Sequence, residues 1–562
     1  MKKHWIKILA VLGIVGTLAA CTAEFLEIPA QGALDEGTLA NKVGVEAALI
    51  SAYSMLDGWN SNWGQFSPPW PTAGSNWIWG SVASDDAYKG SEPGDQGEIS
   101  QIELFQWAPG NTYFDGKFKA LYEGVARANA TQILMAKAEG IESADQARIE
   151  GEVKFLRAHF HFDAWKMWKN VPYYTEADED FKKTNEADIV PLLKKDFEDA
   201  VNLLPETQPQ VGRATKGAAQ AYLGKLLLYT GDYAGAKVQL DAVVNSGRYA
   251  LQDCFHDIFS SGTENGSEMI FSIQASVNDG TTEGNNGNFA DRLTFPHGGS
   301  PFGCCGFHQP SQNLVNAYKV DANGLPLLTS FNDADLTSTD PVDPRLDWTV
   351  GRDDVPFLNW GTHGPTWIRS RSWAGPYSPK KFTHRQGEQS SVGWSNAQLN
   401  PINIPIIRYS DVLLMLAECE VELNNLERAR ALVNQVRARA AACAQGADGG
   451  TTTINDTLIT WATYKVGTYE TPWSDQATAR LAVRMERRLE LALEGHRFFD
   501  LRRWGVAKEV MNAYMAVEKT KRTYIEASAG FEDRHMLYPL PTVQIELSKK
   551  DGIPQLKQNP GY

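Results

Sequence analysis

Apolar positions recur at three- and four-residue spacing over residues 43–56, 117–138, 146–169, 189–204 and 214–230, which predicts amphipathic helices. The pattern then lapses. One short run, EMIFSIQ from Glu268, reads as a strand, and from about 280 to 405 the chain is rich in Gly, Pro, Asn, Ser and Trp with little period. Helical spacing resumes at 408–423, 426–442 and 476–500. The expected fold is mainly α: a helical body over about 40–250 and 405–562, a large irregular loop-rich segment over about 255–404, and a few short strands.

Two of the helical stretches look alike. LLLYTGDYAGAKVQLDAVV, from Leu226, places a tight turn at Thr230-Gly231-Asp232 before a helix carrying the small Ala236. VELNNLERARALVNQV, from Val421, repeats this with Asn424-Asn425 at the turn and Ala429 at the matching position. Both resemble the tetratricopeptide helix-turn-helix, which buries its apolar face by stacking on neighbouring pairs, although no strict tandem period is visible. Such scaffolds usually bind partners.

The first 20 residues read as a processing signal. Lys2, Lys3 and Lys7 form a basic start, residues 8–18 are apolar but too few to span a bilayer, and Leu18-Ala19-Ala20-Cys21 resembles a bacterial lipobox. The expectation is cleavage before Cys21 and a lipid on its thiol, leaving 21–562 as a single anchored domain. A net charge of −15 argues against nucleic acid as a partner. The remaining cysteines, Cys254, Cys304, Cys305, Cys419 and Cys443, are too few and irregular for a disulfide scaffold and have no metal-site spacing.

Phe25-Leu26-Glu27 after the lipobox, SDDAYKG at Ser84, EVKFLRAHFHFDAWKMWKNVPYY at Glu152, GRATKGAAQAYLGKLLLYTGDYAGA at Gly212, IPIIRYSDVLLMLAECEVELNN at Ile404, ERRLELALEGHRFFDLRRWG at Glu486 and YPLPTVQIELSKKDGIPQLKQNPGY at Tyr538 together resemble the SusD/RagB family. The blocks run in family order along essentially the whole chain. The resemblance implies an outer-membrane lipoprotein facing the cell exterior, with tetratricopeptide-like helices. It also implies glycan capture for a SusC-like TonB-dependent transporter.

Read as residues, these blocks are structural. Glu486, Glu490 and Glu494 lie four apart and are expected to pair with Arg487, Arg488 or Arg497 along one helical side. Asp85-Asp86 suits a turn or cap better than acid/base work, and His159 and His161 are poorly spaced for ligands on a helix. HExxH, GxSxG, P-loop and GxGxxG motifs are absent, so neither catalysis nor a cofactor is expected.

Candidate binding chemistry lies in the loops. WNSNWGQFSPPWPTAGSNWIW holds Trp59, Trp63, Trp70, Trp77 and Trp79, five of the 17 tryptophans, beside Asn60, Asn62, Gln65 and Asn76. NWGTHGPTWIRSRSWAGPY adds Trp360, Trp367, Arg369, Arg371, Trp373 and Tyr377. A flat ring covers the C–H face of a sugar while amides, carboxylates and guanidinium groups bond its hydroxyls, so the two loops are expected to converge on one groove. Trp77 and Trp79 equally suit packing. HGGSPFGCCGFHQPS adds adjacent Cys304 and Cys305, which either close a vicinal disulfide between Gly303 and Gly306 or stay reduced and buried. Two other classes remain open. A glycan-degrading lipoprotein would need two carboxylates about 5 to 9.5 Å apart in the aromatic groove, and a peptide-docking adaptor would use the helical pairs alone.

Overall fold

The computed structural model describes residues 36–58, 69–282, 284, 286–393 and 396–562. Cys21, Trp59 and Trp63 lie outside them. Helices arise where the sequence pattern expects, α1 Lys42–Tyr53, α2 Thr112–Lys137, α3 Ser143–Trp168, α4 Val190–Leu203, α5 Lys216–Tyr229 and α6 Tyr233–Asn245, then α7 Tyr409–Glu422, α8 Leu426–Ala440, α9 Gln476–Leu491 and α10 Arg497–Arg503, and the structure adds α11 Ala507–Glu518, which the pattern did not single out. Polar caps start several of them. Asn41 accepts from the Val43 and Gly44 amides, Asn111 from Tyr113 and Asp475 from Thr478, which satisfies first-turn donors that have no helical partner.

Each helix from α1 to α8 packs on the next, and α6 packs directly on α7 although more than 160 residues separate them. The array is therefore continuous in space while the irregular segment loops out of it. The two look-alike turns are the same device. Gly231 at φ +80° and Asn424 at φ +62° both reverse the chain through the left-handed region, and Ala236 and Ala429 are fully buried.

Between Asn245 and Tyr409 no described helix exceeds six residues. Short antiparallel pairs hold this segment: β1 Ala87–Gly90 with β3 Phe307–Pro310, and β2 Met269–Ile273 with β4 Ile404–Arg408. A disulfide joins Cys254, at its start, to Cys443, just beyond α8. Cysteines 189 residues apart carry no spacing signal, and this pair was not expected. Cys419 is free and buried.

Two further expectations change. Residues 476–500 are two helices, because the chain turns at Leu493 (φ +64°) and Gly495 (φ +74°). A Cβ on Gly495 would lie 2.1 Å from the Ser75 carbonyl oxygen, so this corner admits only glycine as the 75–80 loop docks against it. Glu486, Glu490 and Glu494 do not pair along their own helix. They point inward, where Arg345 reaches Glu486 and Glu490 at 2.8 Å, Arg408 reaches Glu494 at 2.8 Å and Glu268 at 2.9 Å, and Lys381 reaches Glu494 at 2.8 Å. Burial alone would raise the Glu490 carboxyl, but Arg439, Arg408 and Arg345 outweigh it and hold it well below the usual range. This network sews the irregular segment to the helical body. Asp85 and Asp86 lie in a turn and the bend after it, as expected, and also serve as ion-pair anchors, since Asp85 receives Arg497 at 2.7 Å and Asp86 receives Arg488 at 2.9 Å.

Candidate functional site

The segment 295–308 is held from three sides by its own backbone. The Gly306 amide donates to the Phe295 carbonyl at 2.8 Å, closing a loop whose base accepts the Ser91 amide at the Gly306 carbonyl. His297 and Gly299 donate to the Trp367 and Thr366 carbonyls at 2.8 and 2.7 Å, stitching the loop to the second tryptophan-rich stretch. Gly298, at φ +63°, makes this approach possible, since a Cβ there would sit 2.5 Å from the Thr366 oxygen.

Cys304 and Cys305 form the vicinal disulfide, across a cis peptide with alpha carbons 3.1 Å apart rather than the roughly 3.8 Å of a trans bond. Cys305 is buried and Cys304 is half-buried. The Gln398 side-chain amide donates to the Cys304 carbonyl and lies 3.8 Å from the Cys305 sulfur.

Cys305 belongs to the main core and Cys304 packs against it, while Phe295 and Phe302 of the same segment join Phe357 and Trp367 in a separate small aromatic core. Phe302 is its hub: its ring centre is 5.2 Å from Phe295 and 4.7 Å from Trp360, and it also touches Trp367 and His384. Trp360 rests on this core half-buried, its indole N–H donating to the His384 carbonyl at 2.7 Å. The ring is thereby fixed in angle while part of it stays accessible.

The expected site residues divide. Trp70 and Trp77 are corrected to core residues. Trp70 is 4% exposed and stacks on Phe289, and Trp77 is 1% exposed with its ring against Phe307 and His308, so neither presents a face to a sugar. Trp79 is equally buried, with its indole N–H on the Pro71 carbonyl. Trp367, 7% exposed, belongs to the small core. Trp373 is half-buried, stacked on Tyr524 at 3.8 Å between ring centres, with the Lys89 ammonium 5.7 Å from its centroid. Tyr377 is half-buried and donates to Gln312. Arg369 binds Glu92 at 2.6 Å and Asp95 at 2.7 Å, and Arg371 binds Asp353 at 2.7 Å, so both guanidinium groups are partly committed to carboxylates. The described parts of the two stretches touch different parts of segment 295–308, one through Trp77 on Phe307 and His308 and the other through Trp360 and Trp367 on Phe302. Gln398 and His384 join them here, although their surroundings in the sequence carry no motif.

The sequence of residues 267–562 matches the SusD family, and residues 66–228 match a family described as starch-binding and associating with the outer membrane. The chain belongs to the SusD family. A SusD-like protein from Formosa agariphila is 26% identical over 77% of this chain and 76% of its own. The SusD fold is also evident in solved structures. A SusD superfamily protein from Bacteroides vulgatus superposes with TM-score 0.70 at 22% identity, covering 93% of this chain and all of the other. Surface glycan-binding protein A from Bacteroides thetaiotaomicron, in complex with laminarihexaose, superposes with TM-score 0.67 at 20% identity, covering 92% and 99%.

Within this SusD fold the charge around the disulfide loop is arranged simply. Burial pushes the His384 and His308 imidazoles down to about 3, so both are neutral near pH 7. Both ring nitrogens of His384 and the Gln398 side-chain oxygen have no hydrogen-bond partner among the described residues. The nearby carboxylates Glu92, Asp95 and Asp353 are each held by arginine. A different carboxyl pair is tied to the first stretch through Ser75. Burial pushes Asp291 up to about 7 against the hydrogen bond it receives from Ser75, and burial together with the Asp291 charge pushes Asp57 up to about 8. The described residues contain no cluster of three or more His, Cys, Asp or Glu suited to a metal ion.

Proposed function

We propose that this protein is a non-catalytic, surface-exposed glycan receptor of the outer membrane, held there by lipid on Cys21, with 21–562 as one domain that passes oligosaccharide to a SusC-like TonB-dependent transporter. The observation that carries the reading is Trp360: a half-buried ring braced on Phe302 of the disulfide-bearing loop and oriented by His384, in a chain of the SusD family. A braced aromatic face meets the C–H face of a pyranose at low entropic cost, and Arg369, Arg371 and Tyr377 from the same stretch of chain are proposed to bond hydroxyls. The complex of a fold relative with laminarihexaose supports the glycan class. Trp59 and Trp63 stay in the proposal as further ring contacts from the first loop. Commitment of Glu92, Asp95 and Asp353 to arginines favours binding over hydrolysis, which needs one carboxyl free to act as an acid.

The test is a glycan array on the mature domain followed by prolonged incubation with the strongest hit. The expected result is binding with unchanged chain length. Release of shorter products, abolished by substituting one carboxylate, would instead establish a hydrolase. For the anchor, Cys21→Ala is expected to release the protein from membrane fractions, because the acyl chains supply about 0.8 kcal/mol per buried CH₂.

A further inference from the structure

A cavity of about 720 Å³ opens on another part of the molecule, where the C-terminal ends of α3 and α5 meet segment 186–190, α10 and Met536-Leu537. Its volume lies within the roughly 300–1,000 Å³ of small-molecule sites. Trp165, Tyr229 and Phe499 give it aromatic walls.

The charges that line it are mostly matched. Lys166 pairs with Asp163 at 2.5 Å, Arg503 with Asp500 at 2.8 Å and with Glu418, and Glu186 with Lys557. Asp188 turns an oxygen to the Val190 amide at the start of α4. Arg502 is the exception. Its guanidinium makes no hydrogen bond or ion pair with any described residue, and its Nη1 is buried without a partner. It lies instead over the rings of Phe498, Phe499 and Tyr538, at 5.4 to 5.9 Å from their centroids. Burial without a counter-charge pushes it down to about 10, so it remains cationic near neutrality. Lys169 adds a second ammonium at the exposed rim.

Arg502 is half-buried, and a guanidinium whose Nη1 is buried without a partner or counter-charge is costly and unusual in a chain of net charge −15. Its fork matches a planar carboxylate through two parallel hydrogen bonds, while the flanking rings match the face of a sugar. We propose that this cavity is a second saccharide site, separate from the Trp360 face, that takes a uronic-acid residue with its carboxylate on Arg502 and its ring against Trp165 and Tyr229. The sugar half of this inference rests on the glycan reading above; the anion half does not.

The test is calorimetric titration of the full mature chain with trigalacturonate, neutral maltotriose and inorganic sulfate. Trigalacturonate is expected to bind, and Arg502→Met to weaken it at least about tenfold, the range of a charged hydrogen bond. The same variant should melt no lower than the parent, because an unpaired buried charge has been removed. Trp360→Ala should leave trigalacturonate binding unchanged, whereas loss of it in that variant would place the uronate on the Trp360 face and overturn the proposal. Sulfate binding as tightly as trigalacturonate would overturn the sugar half. No binding of trigalacturonate, or equal binding by Arg502→Met, would overturn the whole. If Arg502→Met does not fold, Lys169→Glu at the exposed rim decides: a severalfold loss of trigalacturonate affinity supports the site, and unchanged affinity overturns it.

Discussion

Trp77 and Trp360 come from stretches of the same make-up, broken by Pro and Gly and dense in tryptophan and read from sequence as loops, yet Trp77 opens a short π-helical stretch, Trp77–Val82, and the two rings do opposite things. Trp77 lies under segment 295–308 with its ring closed in by Phe307 and His308, whereas Trp360 lies beside that segment with one side against Phe302 and part of its surface open. One loop supports and the other presents. The lesson is that a binding surface built on irregular chain needs its own buried foundation, because loops lack the repeating hydrogen bonds that hold a helix or sheet in place.

Breaking the support should cost the most. Trp77→Ala removes a fully buried indole, and the cavity left is expected to lower stability by about 3–5 kcal/mol, read by denaturant unfolding. Glycan affinity of the protein that remains folded should change little. If stability holds and affinity falls instead, the roles assigned to the two loops are reversed.

The next effect depends on pH. Asp291 ties the supporting loop through Ser75, and its folded pKa of about 7 is raised from an ordinary 3.8. A carboxyl raised in the folded state contributes stability that is intact below about pH 4 and lost as pH rises through about 7. Asp291→Asn cannot ionise and keeps an oxygen for Ser75, so it should spare the protein a loss of order 2–4 kcal/mol between about pH 5 and pH 8. Melting temperatures of both proteins at the two pH values check this. A parent protein no less stable at the higher pH would show that Asp291 titrates normally.

The smallest effect belongs to the presenting rim. Arg369 pairs with Glu92 and Asp95 where all three side chains reach solvent, so Arg369→Ala should cost less than about 1 kcal/mol, and less still in high salt. A large, salt-independent loss of stability would mean that Arg369 is part of the foundation.

This division of labour was only partly legible in the chain. Helical periodicity located nearly every long helix, and the matching turns at Gly231 and Asn424 disclosed the repeated pair, because both signals are local. The fate of each tryptophan was not local. Trp77 is buried by Phe307 and Trp79 by Tyr538, partners 230 and 459 residues away in the chain. The same holds for Glu486, Glu490 and Glu494, whose four-residue spacing suggests pairs on one helix, while Arg345, Arg408 and Lys381 reach them from the irregular segment and its edge. Gln398 and His384 stand in no recognisable motif, and only the folded loop brings them to Cys304 and Trp360. The Cys254–Cys443 bond likewise had no sequence signal.

The claim that Trp360 presents while Trp77 supports is tested most directly by titrating Trp360→Ala calorimetrically with the oligosaccharide that binds most strongly on the array, alongside its thermal unfolding. The account predicts a loss of at least about 2 kcal/mol in binding, around thirtyfold in affinity, with the cooperative unfolding transition retained. Unchanged affinity in a normally folded Trp360→Ala protein would contradict it.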